Sequence, residues 1–255
     1  MNHGMVRLTD AGYLDFIRRP TRGNFEHLMQ GLLEFSTDGA RGAQGGSITF
    51  SHPFDHEAMR QAYSTLHGSS LVKTHVDLVA RKESGRLREK LREMDVDPID
   101  LIDSCSALRF VHPIRNPLDH GISLSNFYKT YGDSDFLVGK VPDFEPETML
   151  EYALRSHTEF FEWQQSRPDR FFMFSEKEVG IGVLGRIAEF LEIKPDPGWL
   201  VESETCFVSN IHYDAPINLK THFADVLDAM DTTPEFKTYI WEQVDSCLLY
   251  TSDAA

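Results

Sequence analysis

Arg115 and Ser123 are the residues whose types and spacing most clearly suggest a chemistry. Arg115 ends an apolar segment with strand character, and Ser123 follows eight positions later. Asn116 is a residue type that caps helices and Pro117 is favoured at the first helical position, so a helix should begin here and carry Ser123. A guanidinium, a hydroxyl and the N–H groups of a helix N-terminus suit a phosphate. The same sequence also fits an ordinary strand–helix corner whose arginine pairs with a carboxylate.

Lys73 and His75 form a second candidate pair. They lie in a β-rich segment with alternating character, residues 70–79, which predicts a strand. Residues two apart on a strand point to the same face, so the ammonium and the imidazole can converge on one site. An edge strand whose charged face is solvated explains the same pattern without any function.

A basic segment near the start of the chain is the third candidate. Residues 13–17 predict a short strand, the segment from Arg18 to Asn24 is a basic turn, and apolar residues at helical spacing predict a helix over 25–35. Gly23 would let the backbone approach a ligand closely. The segment lacks the Gly-Lys-Ser/Thr ending of a Walker loop, which argues against a P-loop kinase.

The remaining elements alternate between strands and helices. A buried strand is predicted over 170–175, and helices are predicted over 54–66, 81–94, 146–165, 180–193, 222–230 and 234–244. Residues 95–103 fit a loop or a short helix that begins at Pro98, and His157 in the long helix is expected to be a packing residue. This alternation predicts an α/β fold with a central, mostly parallel sheet flanked by helices. No repeat or long linker divides the chain, so a single domain is expected over residues 1–246.

Charge and composition exclude several classes of protein. The formal net charge of −15 argues against nucleic acid or an anionic membrane as the main partner. The three cysteines show no paired spacing, and His112, Asp119 and His120 lack a fourth ligand, so no disulfide framework or metal site is expected. No apolar run is long enough to span a bilayer and the N-terminus lacks a signal pattern, so a cytoplasmic enzyme or binding protein is expected.

Three of these segments resemble motifs of the PAPS-dependent sulfotransferases, in which PAPS is 3′-phosphoadenosine 5′-phosphosulfate. The run from Arg115 to Ser123 resembles the family's 3′-phosphate motif, and Lys73-Thr-His75 is similar to its Lys-Thr-His strand. The segment from Arg19 to Asn24 resembles, more loosely, the loop that cradles the 5′-phosphosulfate. A fourth segment, from Phe172 to Glu178, is similar to the strand that carries Tyr-Glu-Asp. The resemblance covers residues 12–195.

The resemblance implies a P-loop NTPase-like sulfotransferase fold and a specific reaction. A sulfuryl group would pass from PAPS to a hydroxyl or amine of a small-molecule or glycan acceptor. The remaining nucleotide, 3′-phosphoadenosine 5′-phosphate (PAP), would be released. His75 would be the general base, and Lys73 would neutralise charge on the transferred group. The cofactor-binding residues that the resemblance implies are Thr21, Arg22, Gly23, Asn24, Arg115, Ser123 and Ser175.

The sequence departs from the family pattern in three places. Thr21 replaces the loop lysine that assists the leaving 5′-phosphate, although Arg22 brings a positive charge one position later. Ser175 replaces the tyrosine of Tyr-Glu-Asp, and the late Arg-Lys-Gly segment is missing, with residues 217–223 as the nearest candidate. These departures keep a second function open, a catalytically weakened protein on the same scaffold that binds PAP or another nucleotide or serves as an interaction protein. Residues 247–255 resemble translated adapter sequence from environmental gene fragments and are expected to be non-native.

Overall fold

The structure, a computed structural model, describes residues 12–36, 86–131, 141–195 and 212–244, together with positions 65, 78, 197, 198, 200 and 201. The chain divides into two compact units, residues 1–107 and residues 108–255. Helices predominate among the described residues and one parallel pair of strands accompanies them, so the chain is a mixed α/β protein. No helix within these residues is long and apolar enough to cross a membrane.

Some predicted segments lie outside the described residues. The strand predicted over 70–79 is represented there by Leu78 alone, and the helix predicted over 54–66 by Thr65 alone. The C-terminal segment over 247–255 is also outside this part of the chain.

The first unit contains four described helices, α1 (Tyr13–Arg18), α2 (Arg22–Ser36), α3 (Arg86–Glu93) and α4 (Pro98–Ser104). The prediction of a strand over residues 13–17 is wrong, because this segment forms α1. The ring of Phe16 is fully buried and its centroid lies 5.4 Å from that of Phe25 on α2. A short apolar run does not distinguish a strand from a helix, and here packing against the next helix decides.

Local sequence signals explain α3 and α4. Asp97 caps α4, because its Oδ1 accepts the Ile99 N–H at 2.8 Å, and Pro98 follows at the first helical position. Of the two alternatives for residues 95–103, a loop or a short helix that begins at Pro98, the structure shows the helix. On α3, Arg92 donates to Glu89 at 2.6 Å, one turn earlier on the same face. The described helix lies within the range of 81–94 that the charge pattern predicts.

The second unit contains two strands and five helices of eight or more residues within the described part of the chain. In chain order they are β1 (Phe110–Ile114), α5 (Pro117–Tyr131), α6 (Pro146–Ser166), β2 (Phe171–Ser175), α7 (Ile181–Phe190), α8 (Ile217–Ala229) and α9 (Pro234–Trp241). The strands are parallel neighbours, and Ile114 lies opposite Ser175 at the carboxyl end of the pair. The strand and the four helices predicted between residues 146 and 244 are confirmed, with shifts of a few residues at their ends.

Close packing of α5 on α6 supports the end of β1. A Cβ atom at Gly121 would lie 3.0 Å from the Cβ of Leu150 and 3.1 Å from the carbonyl oxygen of Pro146, so the two helices approach closely only because residue 121 is glycine. Leu150 is completely buried, and so are Phe223 and Leu227 on α8, which packs on the same helix. The helix that follows the β1–α5 corner is therefore packed against a dense core.

Candidate functional site

The corner between β1 and α5 has the local structure that the sequence predicts. β1 ends at Ile114, Arg115 occupies the turn, and α5 begins at Pro117. Asn116 is the cap, because its side-chain Oδ1 accepts the N–H of Leu118 at 3.0 Å. Ser123 lies further along α5 and is partly exposed. The arginine and the serine are thus attached to one strand–helix corner.

The backbone N–H groups at this corner are largely occupied by the protein itself. Pro117 has no N–H, the N–H of Leu118 is bound by the Asn116 side chain, and the N–H of Asn116 donates to Oε1 of Glu176 at 3.0 Å. The expectation that these amides are available to a phosphate therefore has to be corrected. An anion bound at this corner would depend mainly on side chains, and Arg115 would supply the positive charge.

Glu176 is the carboxylate that the sequence alternative foresaw without naming. It follows directly after β2, and its Oε2 lies 3.8 Å from Nε of Arg115. The Arg115 side chain is 27% exposed and that of Glu176 is 21% exposed, so both reach solvent. Because β1 and β2 are parallel neighbours, the residues that follow them meet at the same edge of the sheet.

Asp119 has a role that its sequence position did not indicate. A carboxylate in the first turn of a helix such as α5 interacts favourably with the helix dipole. The carboxylate is buried, and it also accepts the N–H of Tyr213 at 2.8 Å and lies 3.3 Å from Nδ1 of His212. Asp119 therefore ties the segment before α8 to the start of α5. No local signal predicts this contact, because the partners lie more than 90 positions away.

Three histidines form a chain beside the same helix start. Nε2 of His112 lies 2.8 Å from Nδ1 of His157, and Nε2 of His157 lies 3.4 Å from Nδ1 of His120. His157 is 1% exposed and both of its ring nitrogens have partners, which confirms the prediction that it is a packing residue. Burial first, and then the charge of Arg115, lower the pKa of His120 from 6.5 to about 4. Among the described residues no cluster of histidine, cysteine or acidic side chains is arranged to hold a metal ion.

Thr21 and Asn24 of the first unit serve the start of α2. The Asn24 N–H donates to Oγ1 of Thr21 at 3.3 Å, and the Asn24 side chain donates to the carbonyl oxygen of Arg19 at 2.8 Å. The helix consequently begins at Arg22, and the predicted basic turn up to Asn24 is three residues too long. The N–H of Asn24, one of the residues that the resemblance implies bind the cofactor, is used as part of this helix cap.

Arg22 and Gly23 lie in the first turn of α2. Arg22 donates to Glu26 at 2.7 Å, an exposed ion pair one turn apart on the helix. A Cβ atom at Gly23 would meet no described atom within 4 Å, so packing within the described residues does not require glycine here. Lys73 and His75, the proposed catalytic residues, lie outside the described part of the chain.

Ser175 is buried at the end of β2, and its hydroxyl is already engaged. It donates to Oε1 of Gln243 and accepts the N–H of Lys177 at 3.0 Å. The Ser175 N–H in turn donates to Glu178 at 2.8 Å, which completes a capping box for the short 3₁₀ turn that follows β2. The hydroxyl predicted to contact a cofactor is thus used in internal hydrogen bonds.

Residues 217–223, the nearest candidate for the missing late segment, form the start of α8. Asn218 donates to Glu147 at 2.7 Å, and Nε2 of His222 lies 2.9 Å from Glu151, so this segment is attached to α6.

Searches for related proteins found no family model, no curated protein and no solved structure that matches the chain.

Proposed function

We propose that this protein binds PAPS and transfers its sulfuryl group to a hydroxyl or amine of a small-molecule or glycan acceptor. The observation that carries the proposal is the β1–α5 corner, where Arg115 stands at the carboxyl end of a parallel strand and Ser123 lies on the helix that follows. An arginine can bind two phosphate oxygens at once, and a serine hydroxyl can donate to a third. In the proposal these two residues hold the 3′-phosphate.

The remaining roles are carried over from the resemblance. His75 accepts the proton of the acceptor while the acceptor oxygen or nitrogen bonds to sulfur. The bond from sulfur to the 5′-phosphate breaks, and its electron pair leaves with PAP. Lys73 and Arg22 neutralise the charge that develops on the transferred and leaving oxygens, since fixed charges of this kind contribute strongly to group transfer. Only a neutral imidazole can accept this proton, so the proposal requires His75 in its unprotonated form.

The nucleotide site is tested by titration calorimetry of the wild-type protein with PAP. We expect Arg115→Ala to weaken PAP binding roughly ten- to a hundredfold, which corresponds to the 1.5–3 kcal/mol of a typical charged hydrogen bond. Arg109→Ala is the matched control, because Arg109 precedes the other end of β1 and pairs with Glu192 at 2.9 Å. Equal titration curves for the wild-type protein and Arg115→Ala would remove Arg115 from the site.

A second candidate function is nucleotide binding without transfer. The contacts at the start of α2 favour it, because Arg22 pairs with Glu26 and the Asn24 N–H is used by Thr21. Because Arg22 and the Asn24 N–H already have partners in the protein, they contribute less to stabilising the charge on a leaving 5′-phosphate. This candidate predicts PAP binding together with no transfer from labelled PAPS to any member of a panel of hydroxylated and amine acceptors.

A further inference from the structure

Glu176 connects the two residues that form the β1–α5 corner. Its Oε1 accepts the backbone N–H of Asn116 at 3.0 Å, and its Oε2 lies 3.8 Å from Nε of Arg115. One carboxylate thus makes a hydrogen bond to the backbone of the turn and an electrostatic contact with the arginine of the same turn. The hydrogen bond is of ordinary length, whereas the contact with Arg115 is longer than a hydrogen bond.

The contact with Glu176 lies at one particular edge of the guanidinium. The carboxylate approaches Nε, whereas an end-on grip on a phosphate uses the two Nη atoms. A long arginine side chain loses much rotamer freedom when it is fixed on a ligand. A negative charge that already faces the Nε edge favours this orientation of the guanidinium and so reduces that loss at the moment of binding, which is the general advantage of preorganisation.

We propose that Glu176 is a positioning residue for Arg115, and that it thereby gives the corner its selectivity for a nucleotide with a 3′-phosphate. This inference rests on the proposed function, because it assumes that Arg115 binds that phosphate. Repulsion between Glu176 and the phosphate opposes the effect. It is weakened because the carboxylate and the phosphate face different edges of the guanidinium and both charged side chains are partly exposed to water.

Glutamine at position 176 separates this role from a merely structural one. Glu176→Gln keeps an oxygen that can accept the Asn116 N–H, so the corner and its thermal stability should be preserved. The same substitution removes the negative charge that faces Arg115. Glu176→Ala removes both the acceptor for the Asn116 N–H and the negative charge. Glu192→Gln is the matched control, because Glu192 pairs with Arg109 near the other end of β1.

The experiment measures the dissociation constants of PAP and of adenosine 5′-monophosphate, which lacks the 3′-phosphate, for each variant. We expect the preference for PAP to fall about three- to tenfold in Glu176→Gln and in Glu176→Ala, and to stay unchanged in Glu192→Gln. In the Arg115→Ala background, Glu176→Gln should change nothing further, because the two residues act through one contact. Thermal unfolding of each variant shows whether it remains folded.

The outcomes separate this inference from the proposed function. A wild-type preference for PAP that is the same in Glu176→Gln overturns the positioning role and leaves the nucleotide site standing. Tighter PAP binding by Glu176→Gln also overturns it, because the carboxylate would then compete with the phosphate. A wild-type protein that binds both nucleotides equally overturns the proposed 3′-phosphate site itself.

Discussion

His112 and His157 lie 2.8 Å apart, Nε2 to Nδ1, in contact with the core beneath the β1–α5 corner. His120 extends this pair into a chain of three imidazoles. Each hydrogen bond between two imidazole nitrogens needs one proton, so the chain is satisfied when all three rings are neutral. An additional proton would place a charge beside Arg115. Burial first, and then the charge of Arg115, lower the pKa of His120.

This chain predicts that the protein loses stability in mild acid. The pKa of His120 is about 4 in the folded protein and near 6.5 when unfolded, so the unfolded chain binds more protons between these values. The stabilisation is complete above pH 6.5 and is lost as the pH falls towards 4. The shift corresponds to roughly 3 kcal/mol, at 1.36 kcal/mol per pKa unit.

Urea unfolding at a series of pH values between 7.5 and 4.5 measures this effect. His120→Gln should flatten the dependence in this range. His27→Gln, which removes an exposed imidazole from α2, is the matched control. A dependence that is identical in the wild-type protein and in His120→Gln would show that His120 does not titrate as inferred.

Gly121→Ala should destabilise the second unit by about 1–3 kcal/mol. The added methyl group would press against the backbone of α6 at 3.1 Å, and two packed helices do not separate without losing contacts elsewhere. Gly185→Ala on α7 is the control, because a Cβ there meets nothing within 4 Å of the described structure. It should be neutral or stabilising by up to about 1 kcal/mol. Chemical denaturation of both variants distinguishes the two cases.

Asn116→Ala should lower the stability by about 1 kcal/mol through loss of the α5 cap. In a chain of this length that loss corresponds to a decrease of roughly 2–4 °C in the melting temperature. Asn116→Ser should retain most of the stability, because a serine hydroxyl can accept the same Leu118 N–H. Equal melting temperatures for the alanine and serine variants, whether below or at the wild-type value, would show that Asn116 does not stabilise the protein by capping α5.

Ser175→Ala should reduce stability and leave nucleotide affinity unchanged. The buried hydroxyl bonds to Gln243, and removal of one partner from such a pair costs about 1–3 kcal/mol. Ser104→Ala is the comparison, because that hydroxyl donates to a carbonyl oxygen of its own helix, 2.6 Å away. A loss of PAP affinity in a folded Ser175→Ala protein would return this residue to the ligand site.

His75→Ala should lower the rate of sulfuryl transfer by about 10²–10⁴-fold, the usual contribution of a general base. PAP binding should stay close to the wild-type value, because the substitution removes a proton acceptor rather than a phosphate contact. The rate is followed with labelled PAPS and a responsive acceptor. An unchanged rate would show that another group takes the proton.

The sequence predicts those parts of the structure whose causes are local. Four features follow from residues a few positions apart. They are the strand that leads into Arg115, the Asn116 cap, the helix start at Pro117 and the long helix α6. The prediction failed for residues 13–17, where the apolar run was too short to distinguish the periodicity of a strand from that of a helix. Burial of Phe16 against the neighbouring helix selected the helical form.

Only the tertiary structure decides which groups at the corner are already in use. Glu176 meets Asn116 across 60 positions, Ser175 meets Gln243 across 68, and Asp119 meets Tyr213 across 94. Spacing along a strand or helix carries no information about such pairs, because they form when separate elements are packed together. The sequence by itself therefore determined where a cation and a hydroxyl stand on one strand–helix corner. The fold determined that the N–H groups of Asn116 and Leu118 are satisfied internally and that a carboxylate faces Arg115, since buried polar groups require partners from wherever the packing supplies them.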